Sequence, residues 1–296
     1  MKGRIVLAAL AASLAAAAAL ADDLAARRPI GEPRAVQGLR TASEVSAMLD
    51  WATLASGAHV AALRIGSPGA AALRVAIRVG ALPSSATLRF SSAADANPAE
   101  VTGARVMEAL ARNRAAGENG PEARTWWSPV VPGDALVLEI EMPAGTDPGE
   151  LSLAVPLVSH IRRWPPSQPE DPGDATGATA IVTVGGSSYA CPGFVASGSD
   201  GHVAAPYFLT RADCVSSQSG ASSLQAFWPR AASGVGARLL YASANTHVAF
   251  VSLDEPPPGT AQLARTAGAN ADPALEQWLG AGAVSAHDLV GAFRFP

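Results

Sequence analysis

Cysteine is almost missing from this chain: Cys191 and Cys214 are the two present in 296 residues. Two thiolates cannot by themselves build a structural zinc site, which takes four ligands, and no histidine pair stands at metal-ligand spacing near them. The five histidines, His59, His160, His202, His247 and His287, are scattered and none falls in an HExxH-like pattern. Glycine-rich pieces such as "VGGSS" lack the strand-GxGxxG-helix setting of a nucleotide site and read as turns. Neither a metal nor an organic cofactor is therefore expected. Excess positive charge is missing too. Twenty-one Lys and Arg stand against 25 Asp and Glu, interspersed, for a formal net charge of -4, which is no footprint for nucleic acid. After the first 21 residues no apolar run is long enough to span a bilayer, and there is no internal repeat.

What is present begins with "MKGRIVLAALAASLAAAAALA". Lys2 and Arg4 precede an apolar run that closes on Ala19-Leu20-Ala21, the form of a secretory signal peptide with a small-x-small cleavage site. The run from Ile5 to Ala21 is short for a membrane anchor and has no charged stop beyond it. The expectation is an exported chain, periplasmic or secreted, with residues 1–21 removed. In that compartment an isolated cysteine pair reads as one disulfide, the alternative being two unpaired buried thiols.

Residues 22–37 form a polar lead containing proline and arginine, read as a linker or a first sheet edge. From 38 to 163 the sequence breaks into short apolar alternations separated by turn residues, among them Ser67-Pro68-Gly69, Leu82-Pro83-Ser84 and Pro132-Gly133-Asp134. In the last of these runs Leu136, Leu138 and Ile140 alternate with Val137, Glu139 and Glu141. Two helical departures are expected. "ASEVSAMLDWATL" carries a cap near Thr41 or Ser43, and Val106, Met107, Leu110 and Ala111 recur at helical spacing. The pattern predicts a β-sandwich over 38–163. "WPPSQPEDPGDATG", residues 164–177, concentrates proline and acid and reads as an interdomain linker. Beyond it the strand-like runs "ATAIVTVGGSSYACPGFVAS", "HVAAPYFLTRADC", "SSLQAFWP", "ARLLYAS" and "THVAFVSLD" predict a β-barrel or part of one, with a short helix at "DPALEQWLG" capped by Asp272. The fold class is all-β.

Several of these blocks carry a resemblance. "YACPGFVAS" resembles the "CTGTLV" strand of trypsin-like serine proteases, and "YFLTRADC" resembles their "LTAAHC" block. "SSLQAFW" and "ARLLYASANTHVAFVSLDEPPPG" are similar to segments of the bacterial lysyl-endopeptidase-like branch, and "TWWSPVVPGDALVLEIEMP" with "LVSHIRR" to the β-sandwich preceding the protease there. The resemblance implies a trypsin-like barrel over 178–296, tied by a Cys191–Cys214 bond, and a structural role for His160.

The same resemblance locates the catalytic positions and shows them altered. The family histidine directly precedes the cysteine, where this chain has Asp213, and the family carboxylate corresponds to His247 in "NTHVAF". No "GDSGS"-like motif follows Leu253, and Ser285 in "AVSAHDL" lacks the flanking glycines that open an oxyanion hole. Residues 178–296 suffice for one barrel and a start on a second. The expectation is therefore an inactive homologue of trypsin-like endopeptidases that binds or scaffolds an exported protein or peptide, with Asp213 and His247 as a swapped dyad or as chance replacements. Two alternatives stand beside it: a serine peptidase with an atypical site, and a ligand- or carbohydrate-binding sandwich. In the latter, Trp126-Trp127 would stack on a sugar ring; against this, neighbours on a strand point to opposite faces, so such a pair more often splits, one ring into the core and the next outward.

Overall fold

The computed structural model describes residues 27–164, 177–196, 207–228, 231–244 and 248–255. The signal-like start, the helix expected at Asp272 and the segments carrying His202, His247, Ser285 and His287 lie outside them.

In chain order the strands and helices are β1 Arg28–Ala35, α1 Ala42–Met48, β2 Ala52–Thr53, β3 His59–Gly66, β4 Ala72–Ala81, β5 Thr87–Ser92, β6 Asp95–Thr102 and α2 Gly103–Ala115. There follow β7 Thr125–Trp127, β8 Val131–Pro132, β9 Ala135–Met142, β10 Ser152–Ala154 and β11 Leu157–Ile161. The second half supplies β12 Gly177–Val184, β13 Ser187–Ala196, β14 Tyr207–Arg211, α3 Gln218–Ser222, β15 Gln225–Trp228, β16 Ala231–Ala232, β17 Ala237–Ser243 and β18 Val248–Leu253. All the pairings are antiparallel, and the protein is all-β.

A five-stranded sheet in the order β2-β3-β9-β5-β6 packs on the β4 region of a much larger one. Alternation builds this layer: Leu63 and Ile65 of β3, Leu88 and Phe90 of β5, and Leu136, Leu138 and Ile140 of β9 turn inward onto Leu73, Val75 and Ile77 of β4. At roughly 1.5–3 kcal/mol per buried large aliphatic side chain this cluster is the main stabilising element of the first half. Both expected helices form. In α1 the Thr41 side chain accepts from Glu44 N and the Glu44 side chain from Thr41 N, a complete capping box. Thr102 caps α2.

The larger sheet runs β10-β4-β11-β1-β13-β12-β15-β16, with β14 on β13, β18 on β14 and β17 on β18. The segment read as a lead contributes an interior strand. β1 pairs with β11, Gly31 opposite Ile161, and on its other edge with β13, Arg28 opposite Ala190. One continuous sheet thus runs from the first half into the second. Beyond β1 the order β15-β12-β13-β14-β18-β17 curls around a shared core of Ala180, Phe208, Ala226, Ala249 and Val251. Among the described residues no ladder joins β15 to β17, so the barrel is not closed. Hydrogen bonds outside any ladder span the gap instead. Gln218 of α3 accepts from Leu239 N at 3.0 Å and donates to Ala237 O at 2.9 Å, and Gly236 N donates to Leu224 O at 2.9 Å. No helix among the described residues is long and apolar enough to cross a membrane.

Candidate functional site

The two cysteines define the frame of the site. Cys191 sits on β13 opposite Ala180 of β12, and Cys214 lies in the turn that leaves β14, where Cys214 N and Val215 N both return to Arg211 O at 3.1 Å. Their Cα atoms are 6.0 Å apart and the sulfurs are bonded, both within the barrel core. The turn between Arg211 and Cys214 is therefore fixed from both ends.

Within it Ala212 is buried and Asp213 turns out, its side chain 42% exposed. The Arg211 Nε–H donates to Asp213 Oδ1 at 2.9 Å. Arg27, just ahead of β1, donates to the Asp213 carbonyl at 2.9 Å, and its guanidinium stacks 4.2 Å above the Tyr189 ring. The residue standing where the resemblance places a histidine is thus a carboxylate held by one arginine, with its backbone held by a second. No serine or histidine among the described residues bonds to it. The β14–β18 register sets Arg211 opposite Val248, the first described residue after His247. His247 itself lies outside the described residues, and its contact with Asp213 remains a proposal.

The other sequence candidates have other uses. His59 Nδ1 lies 3.1 Å from Thr53 Oγ1 on an exposed edge. His160 is buried on β11, with Nδ1 2.9 Å from Ser67 Oγ. Burial, then the Arg34 charge, holds its imidazole below the ordinary histidine value, while Glu32 opposes and Arg162 adds to the shift. Trp126 and Trp127 do turn to opposite faces, but neither faces water: the residues are 3% and 6% exposed, so neither ring offers a stacking surface. Trp126 packs in the main core, 5.8 Å from Phe90. Trp127 pairs opposite Ala76 of β4, on the face shared with Ala72 and Arg74, which the second half covers through Ile181 and Thr183. Among the described residues no group of histidine, cysteine, aspartate and glutamate is arranged to hold a metal ion.

Three features of the interface between the halves had no signal in the sequence. Arg74, fully buried, donates to Ser128 O at 2.7 Å and to Thr183 Oγ1 at 3.0 Å, and burial pulls its guanidinium down to about 9. Glu118, after α2, accepts from Gln218 N at 2.6 Å and Ser219 N at 3.1 Å, covering the first amides of α3. A cleft of about 230 Å³ opens between β6, α2 and the end of β18, with Trp126 in its lining. Ion pairs of Arg105 with Glu255 and of Arg112 with Asp254 bind the helix to the strand end across it.

The described residues thus form an all-β chain whose curled sheet carries one disulfide. Residues 6–162, more than half of the chain, match the family described as the lysyl endopeptidase N-terminal domain, and the chain belongs to that family. Over 130 residues it is 37% identical to a lysyl endopeptidase of Pseudomonas aeruginosa, an alignment covering 42% of this chain and 25% of that protein. The chain thus spans about a quarter of the length of the curated relative it matches. No solved structure matches it.

Proposed function

We propose that this is an exported, catalytically inactive relative of the lysyl endopeptidases, acting by binding or scaffolding another exported protein or peptide. Asp213 carries the reading. Serine-type acyl transfer needs a base within hydrogen-bond reach of the nucleophile that takes a proton near neutral pH. The reference basicity of an aspartate lies about 2.5 pH units below that of imidazole. Here, moreover, Oδ1 is already occupied by the Arg211 guanidinium. Asp213 lies in a turn anchored by the disulfide to a sheet with a packed core and regular strand pairing, which suits a retained surface better than a retained reaction. Export is supported by the signal-like start and by the disulfide, which persists in oxidising compartments.

The test is incubation of the full chain with a fluorophosphonate probe and with lysyl peptide and ester substrates. Neither labelling nor turnover above background is expected, and Asp213→His restores neither, because one imidazole supplies no nucleophile and no oxyanion hole. Turnover by the wild-type chain that disappears on substituting a single serine overturns the reading. Affinity capture from envelope extract, read against a Cys191→Ala/Cys214→Ala control, examines the binding role.

A further inference from the structure

The cleft at the junction of the halves is bordered by a sheet edge beyond which no strand pairs among the described residues. β6 ends the five-stranded sheet, and three successive residues of it, Ala99, Glu100 and Val101, line the opening. Their backbone direction follows from the register. Thr87 lies opposite Thr102, Leu88 opposite Val101 and Arg89 opposite Glu100, and Gly103 N donates to Ala86 O at 2.7 Å. Hydrogen-bonded and non-bonded pairs alternate along an antiparallel ladder, so Val101 faces its backbone groups to β5 while Glu100 turns its N–H and C=O away, to the open edge. The opposite wall is the 233–235 segment after β16, itself the end of the larger sheet. Gly234 keeps that wall close, since a Cβ there would collide with the Glu255 side chain.

The size and charge of the opening then limit its occupant. A volume of about 230 Å³ is below the roughly 300–1,000 Å³ of pockets that enclose whole organic ligands, and is suited to one inserted side chain. Glu100 and Glu255, with side chains 55% and 49% exposed, are the most open charged groups at the mouth. The arginines that pair with them and with Asp254 are less exposed, Arg105 at 35%, Arg89 at 28% and Arg112 at 14%, and of these only Arg105 lines the cleft. A ligand arriving from solvent therefore meets carboxylates over an apolar wall of Val101 and Trp126.

We propose that this cleft is a docking site for an extended peptide, which adds as a strand to the Glu100 edge of β6 and inserts a lysine or arginine side chain between Glu100 and Glu255. The inference deepens the binding role proposed above by naming the chemistry of the partner. Main-chain hydrogen bonds provide the affinity of such strand addition and the inserted side chain its selectivity.

The experiment uses the full chain and three capped pentapeptides: Thr-Val-Lys-Val-Thr, its glutamate counterpart, and the lysine peptide with N-methylated backbone amides. Affinity is read by fluorescence anisotropy and the edge by hydrogen exchange at the Glu100 amide. The lysine peptide is expected to protect that amide and to bind about tenfold more tightly than the glutamate peptide, and N-methylation to abolish both effects. Glu100→Gln with Glu255→Gln is expected to reduce the preference to within about threefold. Arg89 retains Glu139 and Glu141 in that variant, and the N-methylated peptide on wild type needs no variant. Equal affinity for the lysine and glutamate peptides, or an unprotected Glu100 amide at saturation, overturns the docking site. So does binding by none of the peptides, the outcome if a second copy or the chain's own continuation fills the cleft. Cleavage of the lysine peptide refutes the inactive reading instead, and leaves the cleft to be decided by the exchange measurement.

Discussion

Removing the covalent tie at Cys191→Ala/Cys214→Ala has a cost that follows from the chain it encloses. The two residues are 23 apart in sequence, and closing a loop of that size takes about 3 kcal/mol of conformational entropy from the unfolded chain. The sulfurs add to this because they are core atoms, packed with Ala180, Phe208, Val215 and Leu224. Their removal leaves two small voids among neighbours that already include a strand pair and a helix, worth about 1 kcal/mol together. The sum, about 4 kcal/mol, is a large part of the 5–15 kcal/mol by which domains are stable. Urea unfolding followed by circular dichroism should show the double variant losing about that much, and reductant should bring wild type to nearly the same midpoint while leaving the variant unmoved. Amide exchange should rise first from Thr210 to Val215, where the turn loses its second anchor. A loss below about 1 kcal/mol, or a wild-type midpoint indifferent to reductant, refutes the view that this bond holds the Asp213 turn in place.

The remaining predictions concern pH, a helix start and a close contact. Because the His160 imidazole is held below its ordinary value of 6.5, the unfolded chain binds the proton more readily. Stability from this group is complete above pH 6.5 and is lost as pH falls through the lower, folded-state value. The fall in melting temperature between pH 7 and pH 5 should diminish in His160→Gln, and an unchanged slope contradicts the assignment. Glu118→Ala leaves the first α3 amides without their charged acceptor and should cost on the order of 2 kcal/mol in urea unfolding, with Glu118→Gln intermediate; equal stability of all three proteins argues against the bridge. Gly193→Ala would place a Cβ against the Phe208 ring and 2.5 Å from the Leu209 carbonyl oxygen. The strand pair must then move apart, and a loss of about 3 kcal/mol is expected, whereas a neutral effect would show that β13 and β14 are less tightly joined.

Much of this protein was legible residue by residue, wherever the deciding interactions are local. Thr41 and Glu44 specify a helix start through bonds three residues apart, Gly133 supplies the positive φ its turn needs, and Leu136, Leu138 and Ile140 alternate inward because a strand has a period of two. The cysteine pair and the aspartate preceding Cys214 were also there to be read. Other features depended on partners far away in the chain. β1 contains Pro29 and Pro33 among charged residues and reads as a lead, yet Gly31 stands between Ile161 and Ser188 as an interior strand. The alternation that should have exposed one of Trp126 and Trp127 presumes a sheet with one face in water, and β4 has both faces covered. The arginine that holds Asp213 and the cleft between two sheet ends likewise follow from packing. Sequence by itself determined the locally specified elements, the cysteine pair and the aspartate that stands beside it at position 213. Only tertiary structure decided which edges pair, which faces are sealed and which are left open, because those depend on free energies of contact between residues that meet only once the chain has folded.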